Sequence, residues 1–316
     1  MLALVAALVL SVAGGALWFK NRIEGSMQSL GDPFAALPTR PPEAVTPEGE
    51  PDTDPPTNIL ILGSDSRISA GDPSQWTYGA QRTDAIMLLH LPGDGKGAYV
   101  VSIPRDSWVP IPGAGTAKIN AAFSYGGPTL TIQTIEQLTG VRIDHFAVAD
   151  FESFVDLTDA VGGVTLNGQV LNGEQALAYA RERYNLPGGD FDRIKRQQAW
   201  ARALASSAVA SEARRDPTKV LGVVSAVSNA VAVDDGLSLP KMFDLAMELR
   251  GLKPRDVTFI TVPVTGTGWS PDGTQSIVNL NWDDAEALFT AMAQDDMAAY
   301  IAEHAQELNV LGDDVR

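Results

Sequence analysis

The sequence predicts an α/β sandwich, because short continuous apolar runs alternate along the chain with helical patterns. A strand that is buried on both faces has a continuous apolar run rather than an alternating one. Strands interleaved with helices are typical of a sheet covered by helices. No repeat of fixed period is present, so a solenoid is not expected.

Five of these runs predict strands, and seven periodic segments predict helices. The expected strands are Asn58 to Gly63, Ala85 to Leu91, Ala98 to Pro104, His145 to Asp150 and Val257 to Val264. The expected helices are Thr129 to Thr139, Phe151 to Ala160, Glu174 to Tyr184, Asp192 to Arg215, Pro217 to Ala230, Leu239 to Arg250 and Trp282 to Leu308.

The composition restricts the possible partners. A chain of 316 residues with 45% apolar residues can bury a large core. Its formal net charge of −16 argues against a nucleic-acid partner, since binding to that polyanion needs a basic face. Any phosphate-binding site must therefore be local, and the absence of cysteine excludes disulfides and thiolate metal sites.

Residues 1–22 predict a single transmembrane anchor. The stretch from Leu2 to Phe19 is almost wholly apolar, and at 1.5 Å per residue it nearly crosses a hydrocarbon core of ~30 Å. A cleaved signal peptide is the alternative, although a basic start and a cleavage site are not clear. Lys20 and Arg22 follow the span, which by the positive-inside rule alone would place the rest of the chain in the cytoplasm.

Residues 23–57 are expected to form a proline-rich acidic linker, and residues 58–316 the globular domain. From Gly31 to Thr57 there are eight prolines and six acidic residues against one basic residue, Arg40. Such a composition predicts an extended, stiff segment that holds the domain away from a membrane.

Standard nucleotide-binding and hydrolase motifs are absent. The sequence contains no GxxxxGK[ST] loop, no HExxH and no GxSxG. Its three histidines, His90, His145 and His304, are interpreted as packing residues.

Polar residues instead lie at predicted strand ends. Asp65 and Arg67 follow the first strand, while Arg82 and Asp84 precede the second. Open α/β sheets bind ligands at such edges. Two carboxylates without histidine or thiolate suit Mg²⁺, with Mn²⁺ as the other possible ion. The alternative is structural, with Asp65 capping a turn and Asp84 paired to Arg82.

Further arginines follow at other element ends. Arg105 comes after the strand that ends in Ser102-Ile103-Pro104, and Arg181 and Arg183 precede a Pro-Gly-Gly turn. Beyond that turn Arg193 and Gln197 are four residues apart on one helix face. Arginine binds phosphate oxygens in a two-pronged fashion, so the cluster favours pyrophosphate, although each arginine alone has a structural explanation.

Six motifs in the same order resemble the LytR-CpsA-Psr family of bacterial cell-wall proteins over about residues 57 to 200. They are residues 58–67, Arg82-Thr83-Asp84, Ser102-Ile103-Pro104-Arg105-Asp106, Lys118-Ile119-Asn120-Ala121, Val161-Gly162-Gly163-Val164, and Ala180 to Gln197.

The resemblance implies a three-layer α/β/α sandwich with a central mixed sheet, outside the cytoplasm and anchored to the cell membrane by one span. It implies transfer of a glycan-1-phosphate from a polyprenyl-pyrophosphate-linked glycan to a peptidoglycan hydroxyl; arabinogalactan is one such cargo. Two alternatives remain open, namely a polyprenyl-diphosphate pyrophosphatase and a non-catalytic lipid-binding regulatory protein.

The resemblance also implies residue roles. Asp65 and Asp84 would be the Mg²⁺-associated carboxylates, and one of them would help to deprotonate the acceptor. The pyrophosphate would be held by a set of basic and amide side chains, namely Arg67, Arg82, Arg105, Arg181, Arg183, Arg193 and Gln197. Residues 199–205 would form one wall of an apolar lipid tunnel, or plain core.

Overall fold

The structure is a computed structural model, and it describes residues 28–43, 54–64, 83–182, 188–208 and 217–312. Within these ranges no helix has both the length and the hydropathy needed to cross a membrane. The predicted anchor, residues 1–22, lies outside the described residues.

The described residues form fourteen strands, eight of which make one mixed sheet. In chain order the strands are β1 (Gln28–Ser29), β2 (Thr57–Ser64), β3 (Thr83–Leu91), β4 (Ala98–Ser102), β5 (Trp108–Ile111), β6 (Gly115–Lys118), β7 (His145–Ala149), β8 (Val164–Leu166), β9 (Gln169–Leu171), β10 (Ala232–Val233), β11 (Val257–Thr261), β12 (Val264–Trp269), β13 (Ser276–Leu280) and β14 (Asn309–Val310). The order in the sheet is β1-β10-β7-β2-β3-β4-β11-β14. β2 is parallel to β7 and antiparallel to β3, while β4 is antiparallel to β3 and parallel to β11.

The helices in the described ranges cover both faces of this sheet. They are α1 (Ala121–Thr139), α2 (Phe151–Ala160), α3 (Gly173–Arg181), α4 (Asp190–Ala208), α5 (Pro217–Ala230), α6 (Leu239–Glu248), α7 (Trp282–Ala293) and α8 (Met297–His304). Leu60 and Leu62 pack in a core with α1, α7 and α8. Ile59 and Ile61, which alternate with them along β2, pack toward α2 to α6. The predicted three-layer sandwich with a mixed sheet is therefore confirmed for this part of the chain.

All five predicted strands and most of the predicted helices are present, with shifted ends. α1 begins eight residues before the predicted Thr129, because non-helical Gly126 and Gly127 join two helical segments. The prediction of one helix from Trp282 to Leu308 is wrong. Asp295 has φ +58° and ends the first helix there, and its carboxylate accepts hydrogen bonds from His90 Nε2 and Gly93 N.

Three short hairpins, β5–β6, β8–β9 and β12–β13, were not predicted from the sequence. Their strands have three to six residues and no long apolar run, so the pattern that finds buried strands does not detect them.

Residues 28–43, part of the predicted linker, contact the domain. β1 pairs with β10, and Leu30 is buried in the core. Arg40 donates hydrogen bonds from Nη2 to Glu136 Oε1 at 2.7 Å and from Nε to the same oxygen at 3.1 Å. Only 1% of the Glu136 side chain is exposed. The division into anchor, linker and domain stays a prediction, but this segment is folded onto the sheet and α1.

Replacing Arg40 with Met is expected to lower the free energy of unfolding by about 3 kcal/mol, because it leaves the Glu136 carboxylate buried without its cation. Urea denaturation followed by circular dichroism measures this loss. The matched control is Arg142→Met, since Arg142 pairs with Glu43, whose side chain is 81% exposed. A control loss as large as that of Arg40→Met would contradict the explanation.

Candidate functional site

Several strand ends meet at one edge of the sheet. Ser64 at the end of β2 pairs with Thr83 at the start of β3, and Met87 further along β3 pairs with Ser102 at the end of β4. Thr261, which ends β11, pairs with Ser102 as well. Asp84 and Arg105 therefore lie at the same edge, as the sequence predicted.

The backbone around Arg105 is held at several points. Ser107 N donates to Pro104 O at 3.0 Å, which closes a turn directly after β4. Arg105 O accepts from Asn120 N at 3.2 Å, and Ser107 O accepts from Ile119 N at 2.8 Å. The family motif from Lys118 to Asn120 thus supports the Arg105 turn from the side.

The start of α4 supplies the opposite wall. Asp192 Oδ2 accepts a hydrogen bond from Gly188 N at 2.7 Å, and a Cβ on Gly188 would lie 2.5 Å from Asp192 Oδ1. Gly189 has φ +58°, a conformation that favours glycine, and a side chain at Gly188 would displace the Asp192 carboxylate. Further along the helix, Gln198 Nε2 donates to Ser102 Oγ at 2.9 Å and joins α4 to the end of β4.

Two arginines and two aspartates form a compact cluster between these elements. Arg105 Nη1 binds Asp84 Oδ1, and Arg105 Nη2 lies 3.3 Å from Asp190 Oδ1. Arg193 Nη2 lies 3.0 Å from Asp190 Oδ1 and 3.6 Å from Asp84 Oδ1, and it donates to Asp84 O at 3.3 Å. The Arg193 side chain is 4% exposed and that of Arg105 is 21% exposed, so one arginine is fixed while the other reaches solvent.

The cluster has polar atoms that no described residue pairs with. Among the described residues, Arg105 Nε, Asp190 Oδ2 and Thr83 Oγ1 are buried and have no hydrogen-bond partner. Buried polar atoms are normally paired, and exceptions concentrate at functional sites. Two donors are thus available to the oxygen atoms of a ligand, and one carboxylate oxygen is available to a donor or a cation.

Asp190 was not predicted as a site residue. Its carboxylate lies between two guanidinium groups. The spacing of Asp190 and Arg193 (i, i+3) on one helix face was the available signal. The contact with Arg105 could not be read from the sequence, because it joins residues 85 positions apart.

Of the other predicted site residues, two are described and the rest lie outside the described ranges. Arg181 is the exposed last residue of α3, and Gln197 is half-buried one turn after Arg193. Their phosphate-binding roles stay predictions. Asp65, Arg67, Arg82 and Arg183 lie outside the described residues, although Asp65 directly follows Ser64 and Arg82 directly precedes Thr83.

A second arginine of α4 packs on α3. The guanidinium of Arg196 lies 4.5 Å from the centre of the Tyr179 ring, and Arg196 Nη1 donates to Tyr179 O at 3.2 Å. Burial raises the pKa of the Tyr179 hydroxyl, with Arg196 acting in the opposite direction, so Tyr179 is neutral near pH 7. Arg196 therefore joins the two helices outside the cluster.

The donor set suits a hard cation. The described residues contain no group of three or more His, Cys, Asp and Glu arranged to hold a metal. Mg²⁺, however, usually takes one or two protein carboxylates together with waters and substrate phosphates. Asp84 and Asp190 supply two carboxylates that share the same arginine partners, and Asp190 Oδ2 is unpaired within the described part.

Comparison with known proteins identifies the family. The sequence profile of the LytR-CpsA-Psr family matches residues 35–170 and 167–294. The chain belongs to the LytR-CpsA-Psr family. The site residues that the structure describes, from Asp84 to Arg193, all fall within the match.

Relatives in this family include two proteins of Corynebacterium glutamicum. The cell wall biosynthesis protein LcpA is 31% identical over 291 residues, covering 74% of this chain and 55% of LcpA. The probable cell wall biosynthesis protein LcpB is 35% identical over 261 residues, covering 75% of this chain and 61% of LcpB. The chain thus spans a little over half the length of these relatives. The regulatory protein MsrR of Staphylococcus aureus is 30% identical, with 71% of each chain covered.

Solved structures share the fold. TagT of B. subtilis superimposes with a TM-score of 0.60 at 25% identity, covering 82% of this chain and 98% of TagT. A structure of TagT bound to LI-WTA gives a TM-score of 0.62 at 25% identity, covering 83% and 98%. TagV of B. subtilis, with a TM-score of 0.63 at 24% identity, covers 76% of this chain and 97% of TagV and supports the fold alone.

Proposed function

We propose that this protein is a membrane-anchored phosphotransferase that attaches a cell-wall glycan to peptidoglycan outside the cytoplasm. The observation that carries the proposal is the cluster of Asp84, Arg105, Asp190 and Arg193 at the sheet edge. The donor is a glycan linked through pyrophosphate to a polyprenyl lipid, and the acceptor is a peptidoglycan hydroxyl. Two rigid guanidinium groups, beside donors that are unpaired among the described residues, suit a pyrophosphate group.

The reaction forms one P–O bond and breaks another. The acceptor oxygen attacks the phosphorus next to the sugar, the bond from that phosphorus to the bridging oxygen breaks, and polyprenyl phosphate leaves. The acceptor proton passes to a carboxylate, for which Asp84 and Asp190 are the described candidates. Phosphoryl transfer of this kind depends mainly on positioning and charge neutralisation. Arg105 and Arg193 supply both functions.

Mg²⁺ is the proposed cofactor, with Mn²⁺ as the other candidate, and Asp84 and Asp65 its proposed carboxylates. Asp190 is a further candidate ligand, since its Oδ2 is unpaired among the described residues. The bound ion would neutralise charge on the pyrophosphate oxygens. Arg181, Arg183, Gln197, Arg67 and Arg82 would complete the binding of these oxygens.

The lipid tail is proposed to lie between the sheet and α4. Ile61, Ala85 and Leu89 are in the two central strands, yet each is only half-buried, so the helices leave space above this face. A cavity of about 880 Å³ opens further along α4, lined by apolar side chains such as Ala203 and Phe259 and by polar ones such as Arg202. A branched hydrocarbon chain suits this space, because its burial removes apolar area from water.

Replacing Ala203 with Trp is expected to fill part of the cavity. Transfer from a donor with a long polyprenyl tail should then lose roughly tenfold in kcat/KM, equivalent to about 1.4 kcal/mol of lost lipid burial. For a donor with a two-isoprene tail, the variant and the wild type should have the same kcat/KM. Kinetics with both donors provide the measurement, and equal losses for the two donors would contradict a lipid in this cavity.

What is known of two relatives supports the proposal. TagT has been solved with LI-WTA bound, and LcpA is described as a cell wall biosynthesis protein. MsrR is a regulatory protein, so a non-catalytic lipid-binding role is the alternative to the transferase proposal.

The test is a product analysis with purified protein, a polyprenyl-pyrophosphate-linked glycan and peptidoglycan strands. Glycan bound covalently to peptidoglycan through phosphate supports the proposal, and chelation of divalent ions should abolish it. Free glycan phosphate without attachment would identify a pyrophosphatase, since water would then be the acceptor. Donor binding without any product would identify the regulatory alternative.

A further inference from the structure

The hairpin formed by β12 and β13 is attached to the turn that carries Arg105. Val278 N donates to Asp106 O at 2.9 Å, and Ser107 forms a bridge with Val278. β12 begins three residues after the end of β11, at the sheet edge where Asp84 and Arg105 meet. The hairpin is therefore continuous with the candidate site.

One face of this hairpin is exposed and uncharged. Along β12 the residues alternate, and Thr265, Thr267 and Trp269 are the exposed set. On β13, Ser276 is exposed and pairs with Trp269 on this face, whereas the exposed Asn279 pairs with Gly266 and lies on the other face. Trp269 is 68% exposed, the largest exposure of any tryptophan in the described part of the chain.

The turn of the hairpin is internally bonded. Ser270 N donates to Gln275 O at 2.8 Å, and Gly273 N donates to Ser270 O at 2.8 Å. Asp272, the one charged residue between 264 and 280, accepts hydrogen bonds from Ser270 and Thr274, and these lower its pKa. The surface around Trp269 is thus fixed in shape.

We propose that this face binds the sugar rings of the acceptor glycan strand and directs its hydroxyl to the Arg105 site. The inference rests on the proposed function and names a binding surface for one of its substrates. An indole offers a large, rigid, amphipathic contact at low entropic cost, which suits the C–H face of a pyranose ring. Thr265, Thr267 and Ser276 offer hydroxyl groups for the ring hydroxyls.

Charge and distance both favour this occupant. A face without charged side chains, in a chain of net charge −16, matches uncharged sugar rings better than ionic partners. Thr267 is paired with Val278 next to the Arg105 turn, and Trp269 is two residues beyond Thr267, or about 7 Å along the strand. A few linked sugar rings cover that length.

The test measures binding and kinetics of the Trp269→Ala variant. Chito-hexaose, a neutral chain of the same ring type, is titrated by calorimetry, and glycan strands serve as acceptor in the transfer assay. We expect about tenfold weaker binding of chito-hexaose and about tenfold higher KM for the acceptor, with the KM for the donor unchanged. Trp282→Ala is the matched control, because Trp282 is 44% exposed at the start of α7, outside the face, and should behave as the wild type.

The remaining outcomes separate the possible failures. Equal binding by wild type and Trp269→Ala, or an equal loss in Trp282→Ala, overturns the proposed surface. A higher KM for the donor instead of the acceptor overturns the acceptor assignment and places donor sugars there. The calorimetric result does not need turnover, so a wild type that binds chito-hexaose through Trp269 but transfers nothing would refute the proposed function and not the sugar-binding surface.

Discussion

Asp84→Asn is expected to lower the rate of glycan transfer by roughly 100- to 1,000-fold, the usual effect of removing one preorganised charged group from an active site. The Asp84 carboxylate binds Arg105 and lies 3.6 Å from Arg193 Nη2. The amide keeps the shape of the side chain but removes the negative charge that orients both guanidinium groups. It also removes a proposed ligand of Mg²⁺ and a candidate base.

The measurement is the rate of polyprenyl phosphate release at saturating donor. Circular dichroism should show a folded variant, because Asp190 still pairs with both arginines. Asp94→Asn is the matched control, since Asp94 lies in the turn between β3 and β4 at the other edge of the sheet and should have no effect. Activity of Asp84→Asn within threefold of the wild type would refute its assigned role.

Arg105→Lys is expected to reduce kcat/KM for the donor by about 100-fold, since an ammonium group cannot replace a planar two-pronged donor. Arg105 reaches Asp84 with one terminal nitrogen and approaches Asp190 with the other, while its Nε is buried and unpaired among the described residues. Lysine keeps the charge but can make only one of these contacts at a time. The loss therefore reports geometry rather than charge.

The same substitution at Arg196 provides the control. Arg196 lies on α4 three residues after Arg193, but its guanidinium packs on Tyr179 outside the cluster. We expect Arg196→Lys to lower stability slightly and to leave donor KM unchanged. If both lysine variants lost the same activity, a general effect on α4 would explain the result better than phosphate binding by Arg105.

The strands of the central sheet were predictable because burial on both faces leaves continuous apolar runs, as in Ala98 to Ser102. The division of residues 282–304 into two helices was not predictable, because the break depends on Asp295. The Asp295 carboxylate accepts hydrogen bonds from His90 in β3 and from Gly93 in the turn after β3. The hairpin that carries Trp269 also escaped prediction, since its glycine-rich alternation has few apolar residues.

By itself the sequence determined the family resemblance, the α/β class and the place of Asp84, Arg105 and Arg193 at element ends. These are local properties, because hydrophobic period, turn residues and motifs depend only on residues that are close together in the sequence. Only the tertiary structure decided that Asp190 lies between two arginines, that residues 28–43 fold onto the domain and that the β12–β13 hairpin adjoins the site. Each of these contacts joins distant segments, and their pairing is set by packing of the whole sheet, which no local pattern encodes.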